Sequence, residues 1–155
     1  MLSKSSTQRY MNENPNWPLV ILRIGVGIMF AIAAWGKVTA GSSWPGRMIG
    51  FINFQAEKSY EFYRAFLEAV VIPNPSLFGY FVAYAEVLVA LSLILGLFTR
   101  WGAALGLFLV ANFLMAKGGP FWMPSANDPM YILTLIVLAL TESGRIFGLD
   151  SRRQA

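Results

Sequence analysis

The chain alternates between long apolar runs and short polar connections, a pattern typical of membrane-spanning helices. Four apolar runs follow one another, at about residues 17–38, 75–98, 101–117 and 128–142. A run of roughly 20 residues, rising about 1.5 Å per residue, covers the ~30 Å hydrocarbon layer of a bilayer. The last two runs lie near the short limit of about 17 residues. The pattern predicts an all-α membrane protein, a four-transmembrane-helix bundle.

The starts of three runs carry a helix-initiation signal. Asn16 precedes Trp17-Pro18, and the pairs Asn74-Pro75 and Asp128-Pro129 open the second and fourth runs. A side-chain oxygen at the N-cap accepts a hydrogen bond from the first turn, and proline there loses no bond that the helix needs. These residues therefore predict where the helices begin.

The first loop has a different pattern. Over residues 59–71, apolar side chains alternate with Glu61, Arg64 and Glu68, which share one helical face and can pair along it. We expect an amphipathic helix at the membrane interface, because the segment is too polar for a fifth span. The chain then divides into a polar N-terminal arm (1–16), a transmembrane domain (17–150) and a basic C-terminal tail (151–155).

Composition supports lipid as the solvent of this chain. Of its 155 residues, 56% are hydrophobic and only 13% are charged, about half the charge of an ordinary soluble domain. We therefore expect membrane lipids as partners and bound lipids in the protein. The net charge of +4 is small, so no nucleic-acid partner is expected. The N-terminal segment lacks a signal-peptide pattern, and the first apolar run should remain as a span.

Missing residue types limit the chemistry most. The sequence contains no cysteine and no histidine, which removes thiolate and imidazole ligands for metals, iron–sulfur clusters and haem, and thiol chemistry. We expect no covalent or metal cofactor. Any redox chemistry would use a ligand held by other residues, or a partner protein.

Basic residues near the span ends indicate the orientation. Arg145, Arg152 and Arg153 form the densest cluster, at the C-terminus. Because basic residues concentrate on the cytoplasmic side, we expect both termini in the cytoplasm of a bacterium or archaeon, with the chain in its inner membrane.

The strongly polar residues deep inside the predicted spans include Arg23, Glu86 and Asn112. A charge inside a span is costly unless it is paired or wetted. We expect an Arg23–Glu86 pair joined by Asn112. This cluster is either a structural clasp between helices or a site for the polar head of a lipid-soluble ligand such as a quinone, or a proton relay. A third alternative is that Arg23 extends to the interface.

Three further residues are considered for the same site. Lys37 closes the first span, where anchoring at the interface is the simpler interpretation. Trp35 and Tyr84 lie deeper in their spans and are candidates for lining a ring-binding pocket.

Several motifs, taken in order, resemble the DoxX family of four-span membrane proteins. They are LRIG at residues 22–25, GK at 36–37, Glu86, GLFTRWGA at 96–103 and GRIFGLD at 144–150. The family takes its name from a small subunit of an archaeal thiosulfate:quinone oxidoreductase, and other members are associated with redox and oxidative-stress assemblies. The resemblance implies that Arg23, Glu86 and Lys37 are the notable polar positions.

The resemblance and the composition leave two main functions open. One is a subunit of a membrane redox or energy-converting complex that takes part in electron transport and binds quinone at the polar cluster; its electron donor would be a partner subunit. The alternative is a non-catalytic accessory subunit that stabilises a larger complex and binds lipids or pigments at its edge. A small-solute or proton transporter is a third interpretation, with little in the sequence to support it.

Overall fold

The computed structural model describes residues 17–118, 127–141, 143–145 and 148–150, which contain helices and turns and no strand. The helices are α1 (Trp17–Ala40), α2 (Trp44–Gln55), α3 (Glu61–Phe66), α4 (Pro75–Leu95), α5 (Thr99–Lys117) and α6 (Asp128–Leu140). Short 3-10 turns cover Gly41–Ser43 and Ser143–Arg145, and a π-helical turn, Leu67–Val71, continues α3. The predicted N-terminal arm and C-terminal tail lie outside the described residues.

Four of these helices form an antiparallel bundle. α1 packs along α4, α4 along α5, and α5 along α6, which returns to touch α1. The core between them is filled mainly by aliphatic side chains, including the fully buried Val89, Leu93 and Leu135. The predicted all-α bundle is therefore confirmed.

Three helices of the described residues are long and apolar enough to cross a membrane: α1 (continuing into α2), α4 and α5. The fourth, α6, has 13 residues, about 20 Å at the helical rise, so the count of four spans stays a prediction. Large apolar side chains on the outside of the bundle, such as Ile21, Leu88 and Met130, are exposed. In water this surface would be unfavourable, whereas lipid solvates it.

Two predicted helix starts are found close to the expected positions, but the capping contacts differ. α4 begins at Pro75, and α6 begins at Asp128, which therefore lies inside the helix and is not its cap. The predicted cap Asn16 lies outside the described residues. No side-chain cap is formed at either start. Asn74 instead donates from its amide to Val70 O at 2.9 Å.

The first loop is more helical than the pattern indicated. The helix α2 precedes the predicted amphipathic segment, and its Met48 and Ile52 pack against Tyr63 and Leu67. The predicted amphipathic helix is present as α3 with its π-helical turn. Because its apolar face is covered by α2, α4 and α5, burial inside the protein already accounts for its amphipathic pattern. A location at the membrane interface stays a prediction.

Small residues set the close approach of neighbouring helices. A Cβ added to Gly27 on α1 would lie 2.8 Å from Ile94 Cγ1 and 3.1 Å from the Ile94 backbone nitrogen. A Cβ added to Gly102 on α5 would collide with the Ser92 side chain of α4. The small-residue positions therefore serve packing within the bundle.

Two glycines on α1 provide a matched test of this packing. Gly25 has nothing within 4 Å of an added Cβ, so Gly25→Ala should leave stability unchanged or raise it by up to about 1 kcal/mol. Gly27→Ala should lower stability by about 1–3 kcal/mol, because the α4 backbone cannot yield without moving the helix. Unfolding of both variants in detergent measures the difference, and equal stabilities would contradict the α1–α4 contact.

Candidate functional site

Buried polar groups collect at the two ends of the bundle. We call the end at which α1 finishes and α4 begins, beside α2 and α3, the loop end. The end at which α4 connects to α5 and the C-terminal segment arrives is called the C-terminal end. The residues predicted to form one polar cluster are divided between these two ends.

Towards the loop end, Lys37, three residues before the end of α1, forms an ion pair with Glu86, which lies at the middle of α4. Lys37 Nζ lies 2.6 Å from one carboxylate oxygen of Glu86 and 2.9 Å from the other. The Glu86 side chain is 2% exposed and that of Lys37 is 17% exposed. A buried carboxylate is stable as an anion only with such a partner. Glu86 on α4 therefore depends on Lys37 from α1.

Trp44, the first residue of α2, completes the surroundings of this ion pair. The ammonium group of Lys37 lies 5.2 Å from the centre of the Trp44 ring, within the range of a cation–π interaction. The Trp44 indole also donates from Nε1 to Gly79 O at 2.9 Å. These two contacts fix α2 against both α1 and α4.

A cavity of about 410 Å³ lies beneath α2 and α3 at this end. Its walls are almost entirely apolar and rich in aromatic rings. They comprise Lys37, Trp44, Met48, Phe51, Ile52, Tyr63, Phe66, Leu67, Val71, Phe78, Phe81, Val82, Phe108, Leu109, Asn112, Phe113, Ala116 and Lys117. This size and composition match small-molecule sites, in which a few polar groups orient a ligand held by apolar walls.

Asn112 and Tyr63 supply the polar group on the wall formed by α5. The Tyr63 hydroxyl donates to Asn112 Oδ1 at 2.7 Å, and burial raises the pKa of Tyr63, which keeps the hydroxyl protonated. Asn112 Nδ2 donates one hydrogen to Phe108 O at 2.6 Å. An amide carries two such hydrogens, and within the described part of the chain the second forms no bond. It is available to an acceptor in the cavity.

Two cavity-lining residues of α5 also bind neighbouring elements. Lys117 pairs with Asp128 at 2.9 Å, which joins the end of α5 to the start of α6. Ser59 donates from its hydroxyl to Ala116 O at 2.6 Å, which holds the turn between α2 and α3 on α5. These contacts connect the elements beside the cavity.

Arg23 occupies the C-terminal end. It is fully buried and donates from Nη1 to Ser143 O at 2.6 Å. Its acidic neighbour is Asp150, which interacts with it electrostatically. Asp150 in turn accepts hydrogen bonds from Phe98 N at 2.8 Å and Thr99 N at 3.1 Å, and so caps α5.

The predicted Arg23–Glu86 pair was therefore wrong. Lys37 lies fourteen residues after Arg23 on α1, about 21 Å along the axis, and Glu86 binds at the Lys37 position. Depths counted from predicted span ends carried too large an error to decide between Arg23 and Lys37 as the partner. Lys37 has an ionic partner inside the chain, and its interpretation as an interface anchor stays a prediction.

Comparison with known proteins decides the family. The sequence profile of the DoxX family matches residues 19–116, which is more than half of the chain. The chain belongs to the DoxX family. Searches of curated proteins and of solved structures returned no significant match. This DoxX chain, with its long apolar helices, is a membrane protein.

Two DoxX-like motifs of this chain meet at the C-terminal end. Gly96 ends α4 with a φ of +65°, a left-handed conformation that glycine adopts without strain. Its carbonyl accepts a hydrogen bond from Asp150 N at 2.9 Å. A Cβ on Gly144 would collide with Thr99 Oγ1 and Asp150 Oδ2. The GLFTR segment is thus in contact with the described residues of the GRIFGLD segment (144–145 and 148–150), which lie beyond the family match.

Two predicted pocket residues are not part of the cavity. Trp35 is 72% exposed and Tyr84 is 61% exposed, and neither lines the cavity. Both lie on the outer surface of the bundle, so that interpretation was wrong. Sequence depth alone does not show which face of a helix a residue occupies.

Three cavity-lining residues were not predicted from the sequence: Trp44, Tyr63 and Lys117. Each lies at or beyond a predicted span end, where an aromatic or basic residue is ordinarily an interface anchor. The signal that could have identified Tyr63 is its position on the apolar face of the amphipathic segment. An apolar helical face normally packs against other parts of the protein or lipid, and in this fold it packs against α2 and lines the cavity.

The cap formed by Asp150 can be tested by substitution. Asp150→Ala removes the acceptor for Phe98 N and Thr99 N and also the negative charge near Arg23, so stability should fall by about 2 kcal/mol or more. Asp150→Asn keeps one capping oxygen and should lose less. Unfolding in detergent measures both changes, and a wild-type stability for Asp150→Ala would contradict this arrangement.

A double-mutant cycle tests the Lys37–Glu86 pair. Lys37→Met leaves the buried Glu86 carboxylate without its partner, which should lower the stability by about 3–5 kcal/mol. The loss is smaller where the carboxylate takes up a proton and becomes neutral. Lys37→Met combined with Glu86→Leu should recover most of this loss, because no uncompensated charge remains. Additive losses in the double variant would show that the two residues do not interact.

Proposed function

We propose that this DoxX protein binds the head group of a quinone in the cavity at the loop end, as an integral subunit of a membrane redox complex. The observation that carries the proposal is the cavity itself, an aromatic chamber of about 410 Å³ with Lys37 and Asn112 on its walls. A quinone head group is a flat apolar ring with carbonyl acceptors, and such a chamber complements both properties.

Lys37 and Asn112 provide different polar groups for a quinone ring. Lys37 comes from α1 and Asn112 from α5, and both line the cavity. Lys37 Nζ already donates to both carboxylate oxygens of Glu86 and to Ala33 O at 3.4 Å, so it contributes positive charge near a quinone carbonyl. The second amide hydrogen of Asn112 is a donor to such a carbonyl, and the phenylalanines of α4 and α5 supply ring faces and edges for stacking.

Electrons for such a ligand would come from another protein. The sequence contains neither cysteine nor histidine, the residues that hold clusters and most haems. We therefore place the chain beside a partner subunit that carries the redox centre, in the inner membrane of a bacterium or archaeon. In this arrangement the chain contributes the quinone site and the partner contributes the electron.

A second candidate function is supported by the ion pairs. Glu86 receives both of its contacts from Lys37, and Asp128 receives both of its contacts from Lys117. Contacts that satisfy charges within the chain suit an accessory subunit, whose role is to stabilise a larger complex and bind lipids or pigments at its edge. The experiment below distinguishes this function from quinone binding.

Tryptophan fluorescence can report occupancy of the cavity, because Trp44 lies in its wall and quinones quench indoles. A short-tailed quinone titrated into the purified protein should produce saturable quenching that Trp44→Phe removes. Trp101→Phe is the matched control, since Trp101 is 76% exposed on the outside, and it should keep the saturable component.

The affinity should depend on Asn112. Asn112→Leu removes one hydrogen bond to the ligand, about 1–1.5 kcal/mol, and should weaken binding by about tenfold. Tyr84→Phe alters an aromatic residue outside the cavity and should leave the dissociation constant unchanged. Linear, unsaturable quenching in every variant would contradict quinone binding and leave the accessory role as the better account.

A further inference from the structure

Four phenylalanines line the cavity and are also partly exposed. Phe51, Phe66, Phe81 and Phe108 line the cavity, and each is also between 39% and 54% exposed. They come from four different helices: α2, α3, α4 and α5. A side chain that does both lies at the rim of an opening. We call these four residues the phenylalanine rim.

The rim opens sideways, toward lipid. Phe108 lies at the middle of α5, nine residues from Thr99 and nine from Lys117, which places it about 14 Å from either end of the helix. Because α5 is long and apolar enough to cross the membrane, this depth falls within the hydrocarbon layer. An opening at this level meets acyl chains.

Elsewhere around the cavity, polar contacts join the neighbouring elements. Trp44 is bonded to Gly79, Ser59 to Ala116, and Lys117 to Asp128. The rim itself consists of four hydrocarbon side chains that form no hydrogen bond. A ligand can therefore pass the rim by displacing ring contacts alone, and no hydrogen bond has to break.

We propose that the phenylalanine rim is a lateral portal for ligands with a long apolar tail. The head group passes inward to Lys37 and Asn112, and the tail remains across the rim in the bilayer. This inference rests on the proposed quinone site and names the class of ligand: a lipid-tailed molecule that arrives from the membrane, as opposed to a small ring that arrives from water.

The portal has a particular consequence for affinity. Hydrocarbon tails are as apolar as the side chains of the rim, so moving a tail from lipid to the rim gains little free energy. Two analogues that differ only in tail length should then bind equally once their partition into the membrane is corrected for. The tail should determine where the ligand lies and have little effect on how tightly it binds.

Photo-crosslinking in lipid nanodiscs tests the location of the tail. The probe is a ubiquinone analogue whose tail carries a diazirine near the ring, and peptide mapping identifies the labelled residues. We expect labelling concentrated at the phenylalanine rim and lost on addition of excess unlabelled analogue. Outward-facing positions away from the cavity, such as Ile32 and Leu91, should carry only weak labelling that the competitor does not change.

One variant ties this labelling to the head-group site. Asn112→Leu should reduce labelling at the rim several-fold, because the ring is no longer held at the required depth, whereas Tyr84→Phe should leave it unchanged. Uniform, uncompeted labelling of the outer surface overturns the portal. If saturable quenching of Trp44 persists in the same nanodiscs, the quinone site stands without the portal; if quenching is also unsaturable, both proposals fail.

Discussion

The contact between Lys37 and Glu86 fixes the relation of the first two long helices. Two charges in an apolar bundle are tolerable only in contact with each other, so their positions determine the register of α1 against α4. With Lys37 opposite Glu86, Gly27 lies opposite Ile94, and the helices approach closely along their length. The ammonium group of Lys37 also contacts the ring of Trp44, the first residue of α2. This contact positions α2, and the cavity lies beneath α2. The site is thus a consequence of the ion pair that holds the bundle together.

The opposite end is held by a different arrangement of charge and backbone. Asp150 caps α5 while it lies near the buried Arg23, and Arg23 reaches the backbone at Ser143. Three parts of the chain that are far apart in sequence are joined there. The contacts described at the C-terminal end join Arg23 and Asp150 to the backbone, whereas at the loop end Lys37 and Asn112 line a cavity. The ligand site is therefore proposed at the loop end.

The packing of the bundle differs from place to place. Near Gly27 and Gly102 the helices touch closely, whereas phenylalanines of α4 and α5 line an open volume. α2 and α3 then cover the space with a layer of apolar side chains. In a membrane this geometry gives a cavity with polar groups inside, from Lys37 and Asn112, and an apolar rim. Such a cavity suits a lipid-soluble ligand that has a polar head group. The chain's lack of cysteine and histidine directs the proposed redox chemistry to a partner.

The sequence by itself determined that the chain is helical, that it is a membrane protein and where α4 and α6 begin. It also singled out Arg23, Glu86, Lys37 and Asn112 as polar residues in or beside apolar spans. These follow from local physics: apolar length, proline in a first turn and the cost of a charge among apolar residues. Only the tertiary structure decided which charges meet. An axial error of a few residues exchanges Arg23 for Lys37 as the partner of Glu86, and the direction of a side chain around its helix separates the exposed Trp35 and Tyr84 from the cavity-lining Tyr63 and Asn112. Both depend on how helices pack, which is a property of the whole chain.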